Sequence, residues 1–200
     1  MRTGSPTRAA LMEMQEERHA LRDGHAFLDE KCLLLAGEML RQLKHHAALE
    51  RELQRSHEAA MAALRAALAR HGLEGLQLQP AQPAGAARLV TQTRSLMGVR
   101  LQQADWQADP AAQAPASVAA SPELRRCRQA FAALLAASAP LAAAAGNLER
   151  LSQEYRRALR RARALQDVLL PELEREIAGV ATALDEFEQQ DALAMRHRAA

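Results

Sequence analysis

Seven histidines, two cysteines and a run of five arginines are the residues of this 200-residue chain whose types could do chemistry. Zinc needs His, Cys or carboxylate ligands at short, set spacings. His45-His46 and His71 lack acidic or Cys partners at ligand spacing. His19, His25 and His57 fall on mixed faces of one predicted helix, with His25 and His46 on or near its inner stripe. They read as packing or solvated histidines. Gly72 and Gly75 do not make a phosphate-cradling loop, and the sequence has no Ser nucleophile elbow. Cys32 and Cys127 sit inside helical stretches and read as small apolar groups of a reduced, cytosolic protein. The residues predict no enzyme, no cofactor and no metal.

The arginine run is Arg156, Arg157, Arg160, Arg161 and Arg163, bracketing an apolar stripe at Tyr155, Leu159 and Ala162. It is either a solvated helix face or a girdle for acidic groups of a surrounding partner, for which Arg is well suited. Glu149 and Glu154 can neutralise part of it in cis. From Asp167 to Asp191 the sign reverses, with eight acids against the single Arg175.

Long helices must position these groups. Ala, Leu, Arg, Glu and Gln dominate and are strong helix formers. Aromatics are 2% of the chain and Ile177 is its one Ile, which argues against a thick core and a large sheet. Formal net charge is +2, and it is balanced along the chain: 11 basic and 10 acidic groups in residues 1–71, 3 and 3 in 72–120, 12 and 11 in 121–200. That balance excludes the strong positive field a nucleic-acid partner wants. No signal peptide is visible. Ala130 to Gly146 is uncharged, but it contains Pro140 and falls short of the roughly 20 residues of a membrane span.

Three segments follow. Residues 5–71 predict one long helix, capped by Ser5 with Pro6 at its first position and closed by Arg70-His71-Gly72. Its stripe includes Leu11, Met14, Leu21, Leu28, Leu35, Leu49 and Leu53, with a second line at Leu40, Leu43, Met61, Leu64 and Leu68. Residues 72–120 form a middle head. There Arg88 to Gln92 and Leu96 to Leu101 predict two short strands around Thr93-Arg94-Ser95, and the Ala/Pro-rich stretch from Asp109 to Ser121 a flexible connection. Residues 121–198 predict a second long helix, capped by Ser121 before Pro122, kinked or broken near Pro140 and kinked at Pro171. Past Asn147 its stripe reads Leu148, Leu151, Tyr155, Leu159, Ala162, Leu165, Leu169, Leu173, Ile177, Val180, Leu184 and Phe187, then Met195. A stripe of that length predicts a partner helix along the whole run. The fold class is all-α: an antiparallel two-helix coiled coil with a small irregular or hairpin-containing middle. Pairing Leu11 near Met195 puts Cys32 opposite a residue near 174, too far from Cys127 for a disulfide.

The ordered motifs resemble a known family. They are Pro6-Thr7, Leu11, Leu21, Gly24, Leu28, Lys31 and Leu35; then Met97-Gly98-Val99; Arg160-Arg161-Ala162-Arg163-Ala164-Leu165-Gln166; Leu170-Pro171-Glu172-Leu173; and Leu184-Asp185-Glu186-Phe187-Glu188. Together they resemble the D subunit of the V-type and A-type rotary ATPases, the central-shaft component. The chain departs from the family signature at Ala162-Arg163 and Gln166, at Cys32-Leu33 after Lys31, and in a short basic tail, Arg196-His197-Arg198.

The resemblance implies a shaft transmitting torque between a catalytic hexamer and a membrane rotor during ATP-coupled proton or sodium transport. It implies the catalytic and non-catalytic A and B subunits, the small F stalk subunit and the C socket subunit (also called d) as partners. The chain would be cytoplasmic and peripheral to the membrane, without direct insertion. Expected partner contacts are Met97, Gly98, Val99, the five arginines, Pro171, Glu186, Glu188, Arg196 and Arg198. The alternatives are the coiled-coil stalk of a type III secretion or flagellar export ATPase, and a free-standing coiled-coil adaptor.

Overall fold

The computed structural model describes residues 7–80, 87–108 and 119–199. In order the elements are α1 (Arg8–Gln77), β1 (Ala87–Leu96), β2 (Val99–Ala108), α2 (Pro122–Ala164), a π-helical turn (Leu165–Leu169) and α3 (Leu170–Ala199). Two long helical runs flank one hairpin, in agreement with the predicted fold class. Ser5, Pro6 and most of the Asp109–Ser121 connection lie outside the described residues.

Helix α1 is capped by Thr7, whose Oγ1 accepts from the Ala10 N–H at 3.2 Å. At Gly72 the backbone leaves the helical region (φ 69°, ψ 173°), as the basic-then-Gly ending predicts. Residues 73–77 then add a further helical turn. Ser121 caps α2 as expected: its Oγ accepts from the Leu124 N–H at 3.2 Å. Pro140 lies inside α2 and does not break it. The chain also passes Pro171 without ending. Immediately upstream, the Leu170 N–H reaches back to the Leu165 carbonyl, a wider π-type turn. Such bulges commonly accommodate a missing donor.

The chain forms two compact bodies, one from Met1–Leu34 with Tyr155–Ala200, the other Leu35–Glu154. In the first, Met14, Leu173 and Ile177 are buried, with Leu11, Leu21 and Val180 packed against them. Arg8 pairs with Glu188, and Arg22 with Glu174 at 2.6 Å. Fourteen residues forward on α1 match fourteen back on α3, so the two helices of this pair run antiparallel. The register differs from the one expected. Leu11 packs beside the Leu173–Ile177 cluster, and Met195 is 71% exposed. Leu169 and Phe187 also face outward. None of the residues of the wide turn at 165–169 is buried.

In the second body Ala67, Leu124 and Cys127 form a buried cluster with Ala63, Leu64, Leu76 and Phe131 around it. Arg70 pairs with Glu123 at 3.4 Å, and His71 Nε2 meets Ser121 Oγ at 2.8 Å. The inner face uses small residues, including Ala60, Ala139 and Ala144, which permit close helix approach. Leu40, Leu43 and Leu68, expected on a second inner line, are exposed. Both cysteines are free and buried, and burial pushes both thiols up, away from the reactive thiolate.

The hairpin is longer than predicted, and its turn lies elsewhere. Ten residues pair with ten, from Ala87↔Ala108 to Leu96↔Val99. Thr93-Arg94-Ser95 sits within β1. The turn is Met97-Gly98, with φ of 48° and 86°. Two positive φ values are what a two-residue turn needs to match the twist of its strands.

One eighteen-residue window within Pro122–Arg198 is long and apolar enough, by length and composition alone, to cross a membrane. That corrects the expectation that no stretch reaches the threshold. The helix is continuous through Pro140, so the apolar run is not cut short there.

Candidate partner-binding surfaces

Two buried polar side chains fix the hairpin, and neither is among the residues singled out by sequence. Glu38 of α1 is 2% exposed. Its carboxylate accepts from Arg41 Nε and Nη2 (2.9 and 2.7 Å), from Gln42 Nε2 (2.9 Å) and from Arg94 of β1. Burial works to raise this carboxyl. The Gln42 and Arg41 hydrogen bonds and the charges of Arg94 and Arg41 outweigh it, and hold the group below its ordinary range.

Asn147 of α2, 4% exposed, grips the other strand. Its Oδ1 accepts from the Gln102 N–H at 2.8 Å, and its Nδ2 donates to the Gln102 carbonyl at 2.7 Å. The side-chain amide thus takes the place of a neighbouring strand. Arg150 Nη2 donates to Asn147 Oδ1 at 2.7 Å, and Arg150 Nε to the Arg100 carbonyl at 2.9 Å. Asn147 Nδ2 also reaches Gln42 Oε1 at 3.5 Å, linking the two anchors. A cavity of about 220 Å³ lies beside them, lined by Arg94, Gln102, Asn147, His45 and Asp105 among others.

The predicted contact residues are spread along the chain and divide between the two bodies. Met97 and Gly98 form the hairpin tip, where Gly98 is exposed. Val99 is buried at 6% exposure, so it packs within the chain and offers no outer contact surface. Arg156, Arg157, Arg160, Arg161 and Arg163 are all exposed, and Ala158 and Ala162 between them are buried. Pro171 is half-buried, and its carbonyl accepts from Arg175 Nε at 3.1 Å. Glu186 is exposed, whereas Glu188 is taken up by Arg8. Arg196 and Arg198 are exposed in the last turn of α3, where cations suit the helix dipole.

Contrary to the sequence reading, His46 does have an acidic neighbour. Three pairs run along α1: His19–Asp23 at 3.6 Å, His25–Asp29 at 3.3 Å and His46–Glu50 at 3.9 Å. Among the described residues, no three His, Cys, Asp or Glu side chains come together to hold a metal.

The sequence signal that could have found the anchors is position. Glu38 falls three residues after fully buried Leu35, and Asn147 between Ala144 and Leu151, so each is a polar residue on an inner stripe.

A family profile for the D subunit of ATP synthase matches residues 10–197. The chain belongs to the ATP synthase D-subunit family. A V-type ATP synthase D subunit of Anaeromyxobacter dehalogenans is 30% identical over 210 residues, covering 98% of this chain and 95% of the relative. An A-type ATP synthase D subunit of Pyrococcus horikoshii is 26% identical over 189 residues, covering 93% and 88%. A V-type ATP synthase D subunit of Treponema pallidum, numbered 2 in that organism, is 23% identical, covering 96% and 92%. These matches give the export-ATPase stalk and the free-standing adaptor no support. Family members are stalk subunits of a membrane-associated ATP synthase complex, which accounts for a chain of long helices with one small hairpin.

Proposed function

We propose that this protein is the central rotor shaft of a V/A-type rotary ATPase, carrying torque between the catalytic hexamer and the membrane rotor during ATP-coupled proton or sodium transport. The observation that carries the reading is the family match over 10–197, on a chain whose helices pair antiparallel. ATP turnover belongs to the A and B subunits of the hexamer; the shaft makes no bonds and breaks none. The exposed arginines from Arg156 to Arg163 meet acidic groups on that hexamer, aided by Arg196 and Arg198 at the end of α3. Met97 and Gly98 at the hairpin tip, with Pro171 and Glu186, serve contacts with the hexamer or with the F stalk subunit and the C/d socket subunit. The complex sits on the cytoplasmic face, and the alanine-rich stretch of α2 packs on protein and does not enter the bilayer.

An asymmetric shaft makes different contacts with each nucleotide site as it turns. Each site is then biased toward a different state, a population shift set by differential contacts. The test is a complex purified with residues 195–200 deleted. Assembly is expected to survive while proton flow and ATP turnover become partly uncoupled. Full coupling in the truncated complex would remove the tip from the working surface, and failure of the intact chain to co-purify with a hexameric ATPase would remove the whole reading.

A further inference from the structure

Among the described residues, the backbone of the hairpin is gripped along β2 only; β1 contributes just the Arg94 side chain, to Glu38. β2 carries the buried residues Val99, Leu101 and Ala104, while 91–95 of β1 are all exposed. In an antiparallel pair, opposed residues alternate between bonding each other and turning their N–H and C=O away. Gln102 turns both groups toward Asn147. Its cross-strand partner is Thr93, which therefore turns its own N–H and C=O to the opposite side. The alternation places Leu89, Thr91, Thr93 and Ser95 in the same state. Among the described residues, the backbone groups of these four have no partner outside the hairpin.

A ten-residue edge without bulge or Pro is the feature that soluble proteins normally blunt. Among the described residues it is left open, and its surroundings specify an occupant. The outward face carries Leu89 directly opposite Trp106, the one Trp of the chain, at 54% and 36% exposure. An exposed Trp beside an aliphatic is a typical interface anchor. The charge along the edge is purely positive, from Arg88 and Arg94, and no acid occurs between residues 87 and 104. Arg94 is spent on Glu38, whereas Arg88 has no carboxylate partner among the described residues. A second copy of this chain would bring like charges along the same edge, which disfavours self-pairing.

We propose that the outer edge of β1 receives an extended strand from a partner subunit, with an apolar side chain over Leu89 and Trp106 and a carboxylate beside Arg88. The inference rests on the rotor-shaft reading for one point. A ladder of main-chain hydrogen bonds would act as a brake if it broke on every turn, so the added strand belongs to a subunit that turns with the shaft. Alternating side-chain pockets and backbone bonds are the usual physics of strand addition.

Site-resolved amide exchange on the intact chain, alone and in the purified ATPase complex, tests this. In the free chain the Thr91, Thr93 and Ser95 amides are expected to exchange fast, and those of Gln92 and Arg94 slowly. In the complex the first three slow by at least about a hundredfold and the others change little. A second measurement separates backbone from side chain. Thr93→Pro removes an outward N–H, while Thr93→Val keeps it. The Pro variant is expected to release the partner about tenfold faster, with Val unchanged. Trp106 fluorescence of the isolated variants verifies that the hairpin remains docked. Fast exchange at Thr91 and Thr93 in a complex that does contain this chain would overturn strand addition while leaving the shaft reading standing. Equal effects of Pro and Val would overturn it too. Failure of the chain to enter any ATPase complex would instead sink the shaft reading, and with it the co-rotating partner.

Discussion

Replacing Asn147 by Ala should loosen the hairpin from the helices. The side chain is 4% exposed and makes three close hydrogen bonds, two with the Gln102 backbone at 2.8 and 2.7 Å and one from Arg150 at 2.7 Å. The contact with Gln42 at 3.5 Å is too long to count for much. Truncation strands one donor and one acceptor of Gln102, each costing about 1–3 kcal/mol when dry. The Gln102 side chain is itself exposed, so water reaches part of the site and the lower end applies. The expected loss is about 2 kcal/mol, a roughly thirtyfold rise in the undocked population. Asn147→Asp should be no better, because a carboxylate cannot donate to the Gln102 carbonyl. The assay is amide exchange at Gln102 combined with the fluorescence of Trp106, which reports on the same hairpin. A loss below about 0.5 kcal/mol, with Gln102 protection unchanged in the Ala variant, would refute the claim that this amide substitutes for a missing strand.

Glu38 and Arg94 should respond unequally. Glu38→Ala frees Arg41 and Arg94, which are 68% and 53% exposed and can rehydrate, so about 2 kcal/mol is expected in denaturant titration, below the usual cost of breaking a buried pair. Arg94→Ala leaves Arg41 and Gln42 on the carboxylate and should cost about 1 kcal/mol. The Glu38 carboxyl is held below its unfolded value of about 4.3, so its contribution is complete above that pH and is lost as pH falls through the folded value. Hairpin protection should therefore be flat from about pH 8 to 5 once exchange is corrected for its intrinsic pH dependence, and should decline below about 4 in the parent but not in Glu38→Gln. Gly98 has φ 86° with open space around its absent Cβ, so strain rather than collision decides its substitutions. Gly98→Val should cost about 1–2 kcal/mol in thermal unfolding and Gly98→Asn markedly less, since Asn tolerates positive φ.

What the sequence could convey divides along the range of the interactions involved. Local signals were legible: Ser121 before Pro122 starts α2, and the basic residues before Gly72 mark the bend in α1. The helical stripe also located the buried Leu151, Ala162, Leu173 and Ile177. Its extension to Leu169 failed because that residue lies in the π-type turn before Pro171, and its extension to Phe187 and Met195 failed because Arg8, the first residue of α1, already stands beside Glu188. Leu89, Val90 and Thr91 signal the hairpin but not where its centre lies. Polar Thr93-Arg94-Ser95 looks like a turn by composition, whereas the deciding need is positive φ, which Gly98 supplies. Position marks Glu38 and Asn147 as polar residues on an inner stripe, but their role is not legible there, for a deeper reason. A polar residue on an apolar stripe is an error unless something distant satisfies it, and the satisfying atoms lie 56 and 45 residues away in the chain. That same distance is why they matter. Each converts a marginal two-stranded hairpin, which would not hold together alone in water, into a docked head. A shaft that must pass force to whatever binds the hairpin needs that docking more than it needs another leucine.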